Sequence, residues 1–272
     1  LIMDKNAPIG IFDSGVGGLT VAREVMRQLP DERIVYFGDT ARLPYGTKSQ
    51  DTVIRFSEQI MRFLRSKGVK AIVIACGTVS TTSLDTLQAE NDLPIVGVVE
   101  PTCRRALLMT KNKKVGIIAT LASIRSGAYE AALRRLDPAV EIVGKPCPLF
   151  VPLVENGRIS RGDVVIETVA REYLEPVKAA GVDTLILGCT HYPLLYDIFN
   201  ELLDYQVTLI DPGRCAAGSV RDLLMKNGQL AQRQRQGITE YNVTDETESF
   251  NRTASIFLGE QVKGAVNRIE LG

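Results

Sequence analysis

The sequence predicts an α/β protein built from two similar parallel-sheet domains. Three observations carry that prediction. Short, uniformly apolar runs alternate with amphipathic helical stretches, the pattern of strands buried on both faces of a parallel sheet. The alternation occurs twice, in the same order. Landmark residues of the two passes also keep a nearly constant separation. Gly10 and Gly116 lie 106 apart, Ile34 and Ile142 lie 108 apart, Glu100 and Asp211 lie 111 apart, and Cys76 and Cys189 lie 113 apart. The expected halves are 1–98 plus 208–272, carrying Cys76, and 99–207, carrying Cys189. A pseudo-twofold axis would relate them, with the active site in the cleft between.

The first pass opens on PIGIF, a strand, then the loop DSGVGG and the helical run LTVAREVMRQL. RIVYFGD is the second strand. ARLPYGTKSQ has loop and turn composition. TVIRFSEQIMRFLRSKG is an amphipathic helix closed by Gly68. VKAIVIAC is a β-branched strand, SLDTLQAEN a helix and LPIVGVV a further strand. The second pass gives the strand KVGIIAT, the helix SGAYEAALRRL and the short strand VEIVGKPCP. The helix VVIETVAREYLEPVKAAG, the strand VDTLILGC, the helix PLLYDIFNELL and the strand YQVTLIDPG complete it. The tail has no counterpart in the repeat. It reads as a helix (SVRDLLMKNG), a polar stretch (AQRQRQG), a strand (YNVT), a helix (SFNRTASIFLG) and a closing VNRIEL, which returns to complete the first half.

Bulk composition excludes several classes. Over 272 residues, 45% are hydrophobic and 24% charged, ordinary for a folded protein. Lys plus Arg and Asp plus Glu number 32 each, so no basic excess points to nucleic acid or to a membrane surface. No apolar run is long enough to span a bilayer, and the start lacks a secretory pattern. Met3 is the expected first residue of the natural chain, with Leu1-Ile2 an addition. Five scattered cysteines without Cys-x-x-Cys spacing suit a reducing cytoplasm better than a disulfide framework or a zinc site.

Cys76 and Cys189 stand at equivalent strand ends, where parallel sheets bind ligands. Two thiols on opposite faces of one carbon are what stereoinversion requires: one removes a proton and the other delivers one. A thiol with an ordinary pKa of about 8.5 can serve either way. The plainer reading is two small buried hydrophobes. His191, in GCTHYP, is the only histidine and can tune Cys189. Gly77, Thr78 and the hydroxyl-rich run after them, placed before a helix, suit a carboxylate. Gly15, Gly17 and Gly18 let backbone approach a ligand, but a dinucleotide fingerprint would need glycine where Thr20 stands. Asp13 is a partner for a thiol or simply a turn residue. No metal-ligand cluster is evident. No lysine stands at a strand-end motif as a Schiff base would need, and Lys48 and Lys70 read as solvated surface residues.

FDSGVGGLTV, YFGDTARLPYG, the Cys-x-Thr after an apolar strand and LILGCTHYPLL together resemble bacterial glutamate racemase, from Ile9 to about Pro212. The resemblance implies two α/β domains, no cofactor, and D-glutamate supply for peptidoglycan. It implies that Cys76 takes the α-proton of D-glutamate and Cys189 that of L-glutamate. Asp13 would assist Cys76, and His191 and Glu155 would assist Cys189. Substrate contacts would come from Asp13, Ser14, Pro44, Tyr45, Gly46, Gly77, Thr78, Thr190 and His191. A cytoplasmic homodimer without nucleic-acid or membrane partners is the matching expectation. One departure stands out: the family usually has Asn where Gly77 follows Cys76, so an amide contact to substrate is lost unless Thr78, Ser80 or water replaces it. An aspartate racemase, a catalytically silent binding scaffold and a hydrolase using Cys189 and His191 remain as alternatives.

Overall fold

The structure is a computed structural model and describes residues 4–232 and 239–271. Residues 1–3 and most of the polar stretch AQRQRQG lie outside the described residues. The chain divides into two compact units, 1–98 with 213–272, and 99–212. The second boundary falls after Pro212 rather than after 207. The reason is pairing: Thr208–Ile210 is hydrogen-bonded into the sheet of the second unit.

The first unit holds a six-stranded sheet in the order β10-β9-β2-β1-β3-β4. Its strands are β1 (Ile9–Asp13), β2 (Ile34–Gly38), β3 (Ala71–Ile74), β4 (Ile95–Gly97), β9 (Thr239–Val243) and β10 (Val266–Arg268). All pair in parallel. β1, β2, β3 and β4 are buried along their whole length, which explains their unbroken apolar sequences. The tail strands β9 and β10 extend the sheet beyond β2, completing the first unit.

The second unit holds a four-stranded parallel sheet in the order β6-β5-β7-β8. Its strands are β5 (Lys114–Ala119), β6 (Glu141–Pro146), β7 (Thr184–Leu187) and β8 (Thr208–Ile210). This order repeats β2-β1-β3-β4 strand for strand, so the sequence repeat is a repeat of topology. β6 is only half-buried, as an edge strand is, and this matches its mixed composition.

Helices α1 (Leu19–Gln28), α2 (Gln50–Ser66), α3 (Gly77–Thr82) and α4 (Leu84–Ala89) belong to the first unit, with α11 (Pro212–Lys226) and α12 (Thr247–Leu258) from the tail. α2 is capped by the Ser49 hydroxyl, which accepts from the Thr52 amide, and it ends at Gly68 with φ of 67°. The second unit carries α5 (Val99–Met109), α6 (Leu121–Arg125), α7 (Ala128–Leu136), α8 (Phe150–Glu155), α9 (Val164–Ala179) and α10 (Tyr196–Leu202). α5, α6 and α8 are not evident from periodicity. VEPTCRRALLM carries a proline and two arginines, yet the proline sits in the first turn, where its missing N–H costs nothing. No described helix is long and apolar enough to cross a membrane.

Lys70 corrects the sequence reading. It is fully buried, not solvated. Its ammonium pairs with Glu32 at 2.5 Å and donates to the carbonyls of Lys5 at 2.6 Å and Gln229 at 2.9 Å. The other Glu32 oxygen accepts from the Ala231 amide at 2.9 Å. One buried ion pair therefore ties the start of the chain and the exit of α11 to the foot of the sheet. Lys70→Met leaves the Glu32 carboxylate buried without its cation and is expected to cost about 3–5 kcal/mol in urea unfolding. A loss below about 1 kcal/mol would place Lys70 among exposed ion pairs instead.

Candidate active site

Parallel strands deliver their C-terminal residues to one edge, and each unit has a thiol there. In the first unit Cys76 follows β3 and caps α3, and it is 5% exposed. The residues read as lying before a helix, Gly77 onward, are themselves the helix. Ser14 Oγ lies 3.5 Å from Cys76 Sγ. Asp13 ends β1, and its Oδ2 accepts from the amides of Gly15 at 3.2 Å and Gly18 at 2.9 Å. Those two bonds fold the DSGVGG loop back over the strand end. Gly18 is required by close approach, because a Cβ there would lie 2.5 Å from that of Asp13. Burial pushes the Cys76 thiol up to about 12, and the Asp13 carboxylate pushes the same way. The Ser14 hydroxyl and the amides of Val79 and Ser14 pull it down less strongly. Cys76 is thus held as a thiol.

The loop after β2 is built around Asp39, which is fully buried. Its carboxylate accepts from Arg42 Nε at 2.6 Å, from Thr244 Oγ1 at 2.9 Å and from the Tyr45 hydroxyl. The Arg42 guanidinium lies 4.0 Å over the Phe56 ring, and Tyr45 packs on the same ring. Tyr45 is therefore a buried anchor whose hydroxyl is already engaged, and the 44–46 segment offers a ligand mainly its backbone. Pro44 is exposed and Gly46 half-buried. The turn expected at LPYGT is a short 3₁₀ segment, Tyr45–Thr47, preceded by a cis Leu43–Pro44 bond.

Gly77 and Thr78 are buried in the first turn of α3. Ser80 does not replace the missing asparagine amide. Its hydroxyl donates to Ile74 O at 3.1 Å and accepts from the Val98 amide at 3.3 Å, joining β3 to the end of β4.

In the second unit Cys189 follows β7, is 7% exposed, and lies 3.7 Å from His191 Nδ1. Thr190 Oγ1 is 3.3 Å from the same nitrogen. His191 Nε2 is 2.9 Å from Glu155 Oε1, at the end of α8. Cys189, His191 and Glu155 thus form a chain within one unit. Tyr192 braces it from below, donating to Cys147 O at 2.8 Å. Burial disfavours a charged imidazole here. The hydrogen bonds to Cys189 and Glu155, with their negative charge, outweigh it and push His191 up to about 10. Held as imidazolium, His191 donates from both nitrogens and sets a positive charge beside the sulfur.

Two contributors escaped the sequence reading. Tyr36, fully buried, donates to Gly15 O at 2.7 Å, and Asp39 organises the loop after β2. The signal for Tyr36 was a tyrosine in an otherwise apolar buried strand, since a buried hydroxyl needs a partner. Among the described residues, no group of three or more His, Cys, Asp or Glu side chains is placed to hold a metal.

With one histidine in the chain, its titration is read directly by NMR. The imidazole is expected to stay protonated up to about pH 10. The folded value lies above the ordinary value of about 6.5, so its stabilisation is complete below that pH and fades as pH rises through the folded value. A midpoint near 6.5 would contradict the chain from Cys189 to Glu155.

Comparison with known proteins follows the same lines. Residues 16–220 match the Asp/Glu/Hydantoin racemase family. A glutamate racemase of Geobacter metallireducens is 46% identical over 263 residues, covering 97% of this chain and 96% of that protein. The crystal structure of glutamate racemase isoform RacE1 from Bacillus anthracis superposes with a TM-score of 0.93 at 37% identity, covering 98% of each chain. That of glutamate racemase from Francisella tularensis, in complex with D-glutamate, gives 0.90 at 38% identity, again covering 98% of each. With both thiol-bearing strand ends inside the matched span, the chain belongs to the Asp/Glu/Hydantoin racemase family.

Proposed function

We propose that this protein is a glutamate racemase that works without a cofactor, through Cys76 and Cys189 as paired acid–base thiols. The observation that carries the reading is the repeat itself: each unit ends its third strand in a buried cysteine with its own ionisable neighbour. Relatives named as glutamate racemases over nearly the whole chain support the substrate.

The chemistry requires both thiols to reach one α-carbon. Toward L-glutamate, Cys76 as thiolate removes the α-proton of D-glutamate, and the Cys189 thiol protonates the opposite face of the carbanion. Cys76 ends as thiol and Cys189 as thiolate, which is the state that acts on L-glutamate. Asp13 attracts the substrate ammonium, whose positive charge offsets the burial that keeps Cys76 protonated. His191 steadies the Cys189 thiolate, and Glu155 keeps the imidazole charged. Ser14, the backbone of Pro44, Tyr45 and Gly46, and the Gly77, Thr78 and Thr190 segments bind the two carboxylates. D-glutamate for peptidoglycan, made in the cytoplasm by a homodimer, is the physiological reading.

The first test is incubation with D-glutamate in D₂O without added cofactor. Racemisation with deuterium entering the α-position is expected. Cys76→Ala and Cys189→Ala should each lose at least about 10²-fold in kcat, the range of a lost acid–base group. Racemisation of aspartate but not glutamate would move the substrate. Inertness toward both would leave a silent binding scaffold. Survival of activity in Cys76→Ala would favour chemistry at Cys189 and His191 alone.

Gly77 gives a second test. Gly77→Asn restores an amide beside Cys76 and is expected to lower KM for glutamate by about tenfold, the worth of one polar contact of roughly 1.4 kcal/mol. Unchanged KM and kcat would mean that the glycine costs nothing in binding.

A further inference from the structure

One residue in the DSGVGG loop, Gly15, carries an unusual share of the surroundings of Cys76. The Gly15 amide donates to Asp13 at 3.2 Å. The residue before it, Ser14, places its hydroxyl 3.5 Å from the Cys76 sulfur. The Gly15 carbonyl accepts from the Tyr36 hydroxyl at 2.7 Å. Fixing that carbonyl fixes the orientation of the loop against both Asp13 and Cys76.

Tyr36 is itself rigidly placed. It lies in β2 opposite Ile11 of β1 and is fully buried. Its ring packs against Tyr241 of β9 and Phe250 of α12, with centroids 6.2 and 6.4 Å away. Asn242 Nδ2 donates to its backbone carbonyl at 3.2 Å. The loop is moulded onto it: a Cβ at Gly18 would stand 3.0 Å from the Tyr36 oxygen, and one at Gly38 would stand 2.6 Å from Gly15 O. Burial, with Asp13 and Cys76 nearby, holds the phenol proton far above the ordinary range, so Tyr36 serves as a neutral donor and never as a base.

We propose that Tyr36 is a positioning residue for proton transfer at Cys76: through the Gly15 carbonyl it holds Asp13 and Ser14 in the geometry that the thiol needs. The proposal rests on the racemase reading above. It also gives the tail a task, because Tyr241, Asn242 and Phe250 all come from the segment that follows the repeat.

The test is Tyr36→Phe, which removes one oxygen and keeps the ring. Because free L- and D-glutamate are equally stable, kcat/KM must fall equally in both directions, so direction alone says nothing. Isotope effects on kcat/KM separate the two thiols. Raising the barrier at Cys76 makes that step more rate-limiting. The effect with α-deuterated D-glutamate, whose deuterium goes to Cys76, should then rise above that of the parent protein. The effect with α-deuterated L-glutamate, whose deuterium goes to Cys189, should fall. A drop of about tenfold in kcat/KM should accompany this, the size of one lost buried hydrogen bond. Thermal melting is run in parallel. A lower melting point with both isotope effects unchanged makes Tyr36 merely structural and overturns the proposal, as does unchanged kcat/KM. If the parent protein does not racemise glutamate, the racemase reading fails first and the proposal falls with it. A racemising parent with an indifferent variant fails the proposal alone.

Discussion

Parallel pairing is the constraint on which the structure depends. In a parallel sheet every strand ends at the same edge, so residues distant in sequence are delivered together without further design. Asp13 at the end of β1 and Cys76 just beyond β3 meet because β1 lies between β2 and β3. Cys147 and Cys189 reach one edge of the second sheet by the same logic, flanking β5. What the sequence must add is a way to close each loop over that edge. In the first unit the Asp13 carboxylate does this, gathering the amides of Gly15 and Gly18. In the second unit the brace is Tyr192 on the Cys147 carbonyl, which holds the turn that presents His191.

Much of this was legible in the sequence, for identifiable reasons. Buried parallel strands must be apolar on both faces, so nine short runs could be read as strands; all nine are present, and the closing VNRIEL contributes a tenth, Val266–Arg268. Helices with one apolar face could be read too. α5 hid because Pro101 and two arginines break the pattern, and α6 and α8 hid because five or six residues carry too little period. The boundary after Pro212 was missed because a repeat shows where elements recur, not which sheet a strand joins. Lys70 was misread because a charge in sequence does not disclose its partner. Only the fold brings Glu32 and the carbonyls of Lys5 and Gln229 around it.

The site shows the same division. Strand-end thiols and a lone histidine announce themselves. Glu155 does not: it is 36 residues from His191 and was reached through family resemblance, yet it lies 2.9 Å from the imidazole. Asp39 and Tyr36 are a step further removed, since they act on backbone and on other side chains. Such residues leave no motif of their own. Their trace is a polar atom in an apolar strand or at its end, which must find a partner once buried.

The two units are alike in strand order and opposite in electrostatics. Cys76 faces a carboxylate, and Cys189 faces an imidazole whose charge is secured by Glu155. The proposed two-thiol reading needs one thiol as acid and the other as base, and two thiols in identical surroundings would meet a difficulty. Both thiols would carry the same proton occupancy, when one must be acid and the other base. Unequal neighbours remove the degeneracy. His191, held as imidazolium, brings a positive charge to the side of Cys189. Cys76 has no such cation among its described contacts, and burial together with the Asp13 carboxylate holds its proton on. On the proposed two-thiol reading, duplication supplies a thiol at the matching strand end of each unit, and divergence of the neighbouring residues gives each thiol its own electrostatic surroundings.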